Sequence, residues 1–514
     1  MAGASKSIVN APEQQVVPQS ATLKSRAVLA GNYDPAKTTV VENVFQQIFN
    51  AADAGTRFGL GSEIHREALY FEKSSNKEVE FYAFPLTTPA GGTAQESTIT
   101  FATNASSSGT WYFRIGSYLL ADLIGINVAS GDTPDSQASA LADAITAMGS
   151  LPFTATAATA VVTIVAKTAS ISASEYQVTN NVCEDESDLI PSGTTVVIAS
   201  SVTGAGESVL TDLWTALSDE SANWKTDLVT PYDSTTALDG AFATCGNPTL
   251  KTGLYGAPVY KPFTNWTAGN TGGAVGLAAA IVLGDGRKET DACNQRSEAP
   301  SSPEVGFEIS AYLMGGIAKQ AQNNAAKAYT SLQFPLLWGP LTTSDDWTTV
   351  SANRDLAVDA GITPIAFLSG VAKPFDVSAF WHPTTSETNA PFKFIVNQRK
   401  IWNVANAVKT YEQSAAIQDR PTVQDIAATD FSANAIDTDT VLADLSVLAG
   451  QWSKKAWIYT ADFTMVNTTV IPDPENPDRF IIYIPIITSG NLRQKEADIA
   501  VTRDIAAVNV VIGG

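Results

Sequence analysis

Arg26-Ala-Val-Leu-Ala-Gly31 is a short, almost unbroken apolar run closed by a glycine. It reads as a strand buried on both faces that ends in a turn, the pattern expected inside a helix-covered sheet. Just downstream, Val41, Val44, Phe45, Ile48 and Phe49 recur at helical spacing, which predicts a helix over 41–50. Residues 78–86, Glu-Val-Glu-Phe-Tyr-Ala-Phe-Pro-Leu, read as a second strand with Pro85 near its end. A β–α–β opening of this kind predicts an α/β core.

Outward from that core the composition changes. Over 88–204, Ala, Ser, Thr and Val dominate and charges thin out. Strands are expected at 97–101, 109–115, 123–128, 160–165, 176–179 and 194–199. A helix over 135–147 interrupts them, started by Thr133-Pro134. This stretch reads as a β-rich domain inserted into the core.

Beyond 207 the α/β alternation returns. Helices are expected at 208–218, 236–244, 273–282, 303–330, 401–411 and 441–449. Strands are expected at 224–229, 256–260, 362–368 and 392–396. Asp437-Thr-Asp-Thr440 reads as a helix cap. The expected fold class is mixed α/β and multidomain, a core built from N- and C-terminal parts with an inserted β-rich domain and extended terminal arms. The expected divisions are an arm at 1–22, core at 23–87, insert at 88–204, an α/β middle domain at 205–370, a C-terminal core domain at 371–504 and a strand arm at 505–514.

Both ends look extendable. Residues 1–22 form a polar stretch with Pro12 and Pro18. At the other end a strand-like run over 480–488 leads through polar 489–498 to Ile505-Ala-Ala-Val-Asn-Val-Val-Ile512. A β-prone segment there either closes a sheet in its own domain or adds to one in another chain, because unpaired strand edges invite a partner. Ile505, Val508, Val510, Val511 and Ile512 are the residues expected to carry such pairing.

The chemistry-bearing residue types are sparse. Two histidines, His65 and His382, leave little material for metal sites or catalytic triads. Gly59-Leu-Gly-Ser62 beside His65 lacks the Gly-x-Ser-x-Gly of a nucleophile elbow. The glycines at 269–273 and 284–286 lack the Lys-Ser/Thr of a phosphate loop. Cys183, Cys245 and Cys293 form no metal or disulfide pattern and read as reduced thiols. No catalytic residue, cofactor or metal is expected. A formal charge of −21 over 514 residues argues against a nucleic-acid face. No apolar run is long enough to span a membrane, and no secretory leader is visible. The acid is uneven: residues 1–392 carry −18 and residues 393–514 only −3. A partner contact is therefore expected in the C-terminal part, with Lys400, Lys409, Lys454 and Lys455 as its cations.

In order of segments the chain resembles the contractile tail sheath proteins of Mu-like myophages, within the wider sheath family of contractile injection systems. The resemblance runs through 26–31, Arg57-Phe-Gly-Leu-Gly-Ser62, Phe84-Pro-Leu86 and Gly131-Asp-Thr133 with the helix after it. It continues through Leu151-Pro-Phe-Thr-Ala155, the strand over 161–167, the helix over 298–318, and 452–501 with paired strands around 472–478. It implies a structural protein of the virion tail, assembled in the host bacterial cytoplasm. Such subunits stack as hexameric rings around a tail tube protein, between baseplate and tail terminator proteins, and contract to drive the tube through an envelope. Their terminal arms add strands to sheets of neighbouring subunits. A β-rich surface adhesin and an envelope polysaccharide hydrolase are the competing readings.

Overall fold

The structure is a computed structural model, and it describes residues 20–116, 120, 122–180, 190–218, 225–232, 234, 264–269, 294–299, 304–334, 351–368, 371–379, 393–414, 417, 422, 435–476 and 479–490. The N-terminal part contains strand β1 (Arg26–Asn32), β2 (Gln46–Ile48), helix α1 (Ala51–Phe58), α2 (Glu63–Ser75) and β3 (Glu80–Leu86). Then come β4 (Glu96–Phe101), β5 (Gly109–Ile115), β6 (Leu123–Val128), α3 (Pro134–Ala147), β7 (Phe153–Ala158), β8 (Val161–Ala166), a 3₁₀ turn (Ile171–Glu175), β9 (Val178–Asn180) and β10 (Val196–Val202). The middle supplies α4 (Thr211–Ser218), β11 (Asp227–Val229), β12 (Thr264–Gly269), β13 (Asn294–Glu298), α5 (Gly306–Asn323), α6 (Ser351–Asp359), β14 (Ile362–Leu368) and β15 (Val371–Pro374). The last part contains α7 (Ile395–Glu412), α8 (Thr438–Lys454), α9 (Ala461–Asn467), β16 (Thr469–Pro472) and β17 (Phe480–Tyr483).

One eight-stranded sheet organises the core, in the order β15-β14-β13-β12-β11-β1-β3-β2. The six inner strands are parallel, and β15 and β2 close the two sides in antiparallel pairing. The inner run of β1, Ala27 to Ala30, is apolar because both faces of the strand are covered. Ala27 and Leu29 pack with α1, α2 and α5 on one side. Val28 and Ala30 pack with Leu213 and Leu217 of α4 and Trp402 of α7 on the other. The mixed α/β, multidomain class is therefore what the chain adopts. The boundary expected at 370 falls inside the β14–β15 hairpin.

Strands β4 to β10 pair only with one another among the described residues. They form the sheets β10-β4-β8-β7 and β6-β5-β9. These sheets and α3 enclose a core of their own around Trp111, Phe113, Leu141 and Ile164. The chain enters and leaves this unit side by side, through a bridge between Thr93 and Ala205. Two residues at the start of the long helix, Val305 and Phe307, belong to the same cluster and join the insert to the core. A second close approach is at Gly61, whose φ is +79° and where a Cβ would meet the Leu151 carbonyl oxygen at 2.0 Å.

Several sequence expectations change. The helix expected over 41–50 is absent: 46–48 pairs with β3 as a strand, and the helix starts at Ala51. The Asn50 side chain accepts from the Asp53 amide at 2.8 Å and caps it there. Phe45 packs on Phe84, while Val44 and Phe49 face outward. The strand expected over 392–396 reduces, within the described residues, to one bridge between Phe394 and Ser378, and α7 begins at Ile395. The alanine-rich end of the helix expected over 303–330 lies outside it, since α5 stops at Asn323. Strands β7, β12 and β13 were not expected from pattern alone. Expectations at 236–244, 256–260 and 273–282, at His382 and at all three cysteines lie outside the described residues.

Candidate assembly surface at the C-terminal hairpin

The last part of the chain builds its core from three helices and a hairpin. The Asp437 side chain caps α8 by accepting from the Thr440 amide at 2.8 Å. Val441, Leu445, Leu448 and Trp452 then form one buried stripe at helical spacing. Val404, Ala407 and Tyr411 of α7 meet that stripe, and Tyr411 donates to Asp444 at 2.8 Å.

The hairpin lies over this layer. Strands β16 and β17 pair antiparallel, with Val470 opposite Ile482 and Ile471 opposite Ile481. The turn between them is closed by the Asp473 amide donating to the Arg479 carbonyl at 2.9 Å and by an Arg479–Asp473 ion pair at 3.3 Å. Side chains alternate across a strand, so opposite pairs share a face. Val470, Phe480 and Ile482 turn toward the helices. Ile471, Ile481 and Tyr483 turn outward and remain exposed, at 51%, 38% and 61%. Among the described residues neither strand has a second partner, so both edges of this two-stranded sheet are open. A lone two-stranded ribbon is marginal, and an apolar face with open edges accepts further strands.

The residues close to the two ends of the described chain are anchored on the same layer. Ser20 is held by two groups at the end of α8. Its amide donates to the Gln451 side chain at 2.7 Å, and its carbonyl accepts from Lys455 Nζ at 2.7 Å. Ser489 is held in the same neighbourhood. Its carbonyl accepts from Lys400 Nζ at 2.6 Å, and its hydroxyl donates to the Ala456 carbonyl. One bridge, between Ile458 and Thr488, ties that exit to the residues following α8. Ser20 and Ser489, close to the two ends of the described residues, are therefore both anchored on the same C-terminal layer.

The candidate lysines divide accordingly. Lys400 is fully buried, with Asn397 Oδ1 at 3.4 Å as a further acceptor, and it cannot meet a partner from the surface of the subunit. Its neighbours along the helix explain this: it precedes Val404 by four residues, Ala407 by seven and Tyr411 by eleven, which places it in the buried stripe. Lys409 and Lys454 are exposed. Lys455 lies over the Trp457 ring at 4.6 Å and holds Ser20, and partial burial lowers its affinity for the proton. Ile505, Val508, Val510, Val511 and Ile512 lie outside the described residues. The anchoring roles of Gln451, Lys455 and Lys400 were not foreseen; only the helical register of Lys400 carried a signal.

Ser62 and His65 come together as a cap. The Ser62 hydroxyl accepts from the His65 amide at 3.3 Å, and the imidazole Nδ1 accepts from the Gly61 amide at 2.9 Å. With that lone pair occupied, the ring has no free Nδ1 base to offer Ser62. Burial, with Arg66 and Lys167 nearby, pushes the imidazole down to about 4, so it is neutral at pH 7.

No protein-family model matches the chain, and no curated protein matches its sequence. Among solved structures the chain is similar to a sheath tail protein from Desulfitobacterium hafniense. The TM-score is 0.44 at 9% identity, covering 92% of this chain and 98% of that one. It is also similar to the helical sheath of the anti-feeding prophage in its contracted state. There the TM-score is 0.42 at 12% identity, covering 98% of this chain and 100% of the other.

Proposed function

We propose that this chain is the structural subunit of a contractile tail sheath, and that its hairpin is an assembly site. The observation that carries the reading is the β16–β17 ribbon, which has an apolar outer face and, among the described residues, no further strand on either edge. On this reading the strand over 505–512 of one subunit pairs with the hairpin of a neighbour, and the arm over 1–19 extends from its anchor at Ser20 to another. Main-chain pairing of this kind persists while subunits rotate as rigid bodies, because the connectors bend and the ladders remain. The subunits stack as hexameric rings around a tail tube protein, between baseplate and terminator proteins, in a virion tail assembled in the host cytoplasm. Contraction of that array drives the tube through the envelope.

The tube-facing cations in this proposal are Lys409, Lys454 and Lys455, because Lys400 is interior. Exposed ion pairs contribute only about 0–1 kcal/mol each, so a grip of this type is shared among many copies and weakens with salt.

Negative-stain microscopy of the purified chain tests the reading. Helical tubes or stacked rings are expected. A monodisperse monomer at all concentrations contradicts it. Replacing Ile471 and Ile481 together by lysine is expected to abolish the tubes while the subunit stays folded. Tubes of normal form from that variant would remove the hairpin from the interface.

A further inference from the structure

The joint between core and insert is crowded with buried charge. Arg66 of α2 is fully buried; its Nε donates to Glu308 Oε1 at 2.6 Å and its Nη2 to Asp122 Oδ2 at 2.8 Å. Glu308 lies in the first turn of α5, and Asp122 lies just before β6, so one guanidinium ties the core helices to the insert. Tyr176, next to the 3₁₀ turn, donates to the same Glu308 oxygen at 2.6 Å. Tyr70 of α2 donates to Glu304. Glu63 of α2 is satisfied by four donors: the Ser170 and Ser172 hydroxyls at 2.6 and 2.5 Å, the Asn32 amide at 2.7 Å and the Tyr232 hydroxyl at 3.2 Å.

Glu67 is the exception. It is 0% exposed, and neither carboxyl oxygen finds a hydrogen-bond partner among the described residues. The charges that act on it are of its own sign: Glu63 on its helix and Glu308 on α5. Arg66, next in sequence, is already shared between Asp122 and Glu308. From the insert come Asp122, Tyr176 and Glu175, the last accepting from the Gly306 amide at 2.8 Å, and Lys167, which donates to the Leu60 and Gly149 carbonyls. His65 is neutral at pH 7. On α1, Asp53 and Arg57 pair with each other at the partly exposed surface, at 3.7 Å. An unpaired buried carboxylate between two other acids is strongly disfavoured, whereas a carboxylic acid is tolerated.

We propose that Glu67 is held as the neutral acid in this joint, and that the loss of its proton loosens the contact between α2, α5 and the insert. Burial and the Glu63 and Glu308 charges hold its carboxyl well above the usual 4.5. The sign follows from that direction. The unfolded chain releases this proton near 4.5 and the folded chain retains it, so folding takes up a proton at higher pH. The stability carried by the site is complete below 4.5 and is lost as pH rises above it. The helix pair is the link to the rest of the molecule, since α2 and most of α5 lie in the main core while the start of α5 lies in the core of the insert.

The test compares the full, unassembled chain with Glu67→Gln, which is neutral and of the same shape, by denaturant unfolding across pH. The unfolding constant of the wild type, divided by that of the variant, is expected to rise with pH above 4.5, with a slope approaching the tenfold per pH unit of a one-proton linkage. A ratio that stays constant overturns the proposal. Glu67→Leu is expected to give the same pH behaviour as Glu67→Gln. Failure of both variants to fold also overturns it, because a site that holds a neutral group must accept neutral replacements. Hydrogen exchange locates the effect. Protection of α2 and the first turn of α5 is expected to fall with rising pH in the wild type and not in Glu67→Gln, after correction for the intrinsic exchange rate. Loss of protection in both proteins alike, or only outside these helices, contradicts the assignment to the joint.

Discussion

Among the described residues of the insert, seven strands in two sheets and one α-helix enclose a shared core, and the outer positions are mostly threonine, serine and alanine. In the C-terminal hairpin, two strands cover one side of a helical layer and leave isoleucine and tyrosine outside. Among the described residues, eight of the seventeen large hydrophobic side chains that are exposed fall within 447–487. That concentration separates the two regions by role. Three of the eight, Ile471, Ile481 and Tyr483, form the outer face of the hairpin, and such clustering, unlike scattered exposed hydrophobics, supports the assembly surface proposed above. The insert builds a core of its own, whereas among the described residues the hairpin has no third strand.

The largest effect that would sharpen this contrast comes from the insert core. Ile164→Ala empties a fully buried site between the sheet β10-β4-β8-β7 and α3. It is expected to cost about 2–5 kcal/mol in denaturant unfolding while assembly of the surviving folded protein continues. Loss of tubes without loss of stability would erase the distinction.

Acid is expected to act on the core through His65. The buried His65 has its value lowered to about 4, so its stabilising contribution is present above about pH 6.5 and is lost as pH falls from there toward 4. This contribution amounts to up to ~3 kcal/mol. His65→Gln is expected to flatten that part of the profile of melting temperature against pH. An unchanged acid slope would show that the imidazole is protonated without penalty.

Lys400→Met tests an anchor. Removing a charge-assisted hydrogen bond to the Ser489 carbonyl is expected to cost about 1.5–3 kcal/mol and to speed proteolysis after residue 489. Equal protease sensitivity in the two proteins would make Lys400 a passive core residue. The smallest effect is at the cap of α8. Asp437→Ala is expected to lower stability by about 1 kcal/mol, read by thermal melting, without altering assembly.

What the sequence carried follows the same division. Strands β1 and β3 were legible because strands covered on both faces have little choice but continuous apolar residues. The cap at Asp437 was legible because capping is local chemistry. The segment over 41–50 misled because its apolar residues fit a helical period, whereas pairing of Gln46–Ile48 with β3 is a long-range contact that periodicity does not encode. Lys400 was read as a surface cation, although its spacing to Val404 and Ala407 already put it on the buried stripe. The Arg66–Glu308 and buried Arg399–Asp227 pairs were not legible, since each joins residues more than 150 positions apart. The open hairpin was half legible. Of the strand expected over 480–488 only Phe480–Tyr483 forms, and which face stays uncovered depends on the helices beneath it.

Ending the chain at Ile505 removes the strand proposed to occupy a neighbour's hairpin. Sedimentation velocity and thermal melting of this truncated protein beside the full chain address assembly and fold in the same samples. Helical polymers from the full chain, and a folded monomer with an unchanged melting temperature from the truncation, are expected. Normal polymers from the truncated chain, or a truncated chain that no longer melts cooperatively, would place that strand within its own subunit and contradict the proposal.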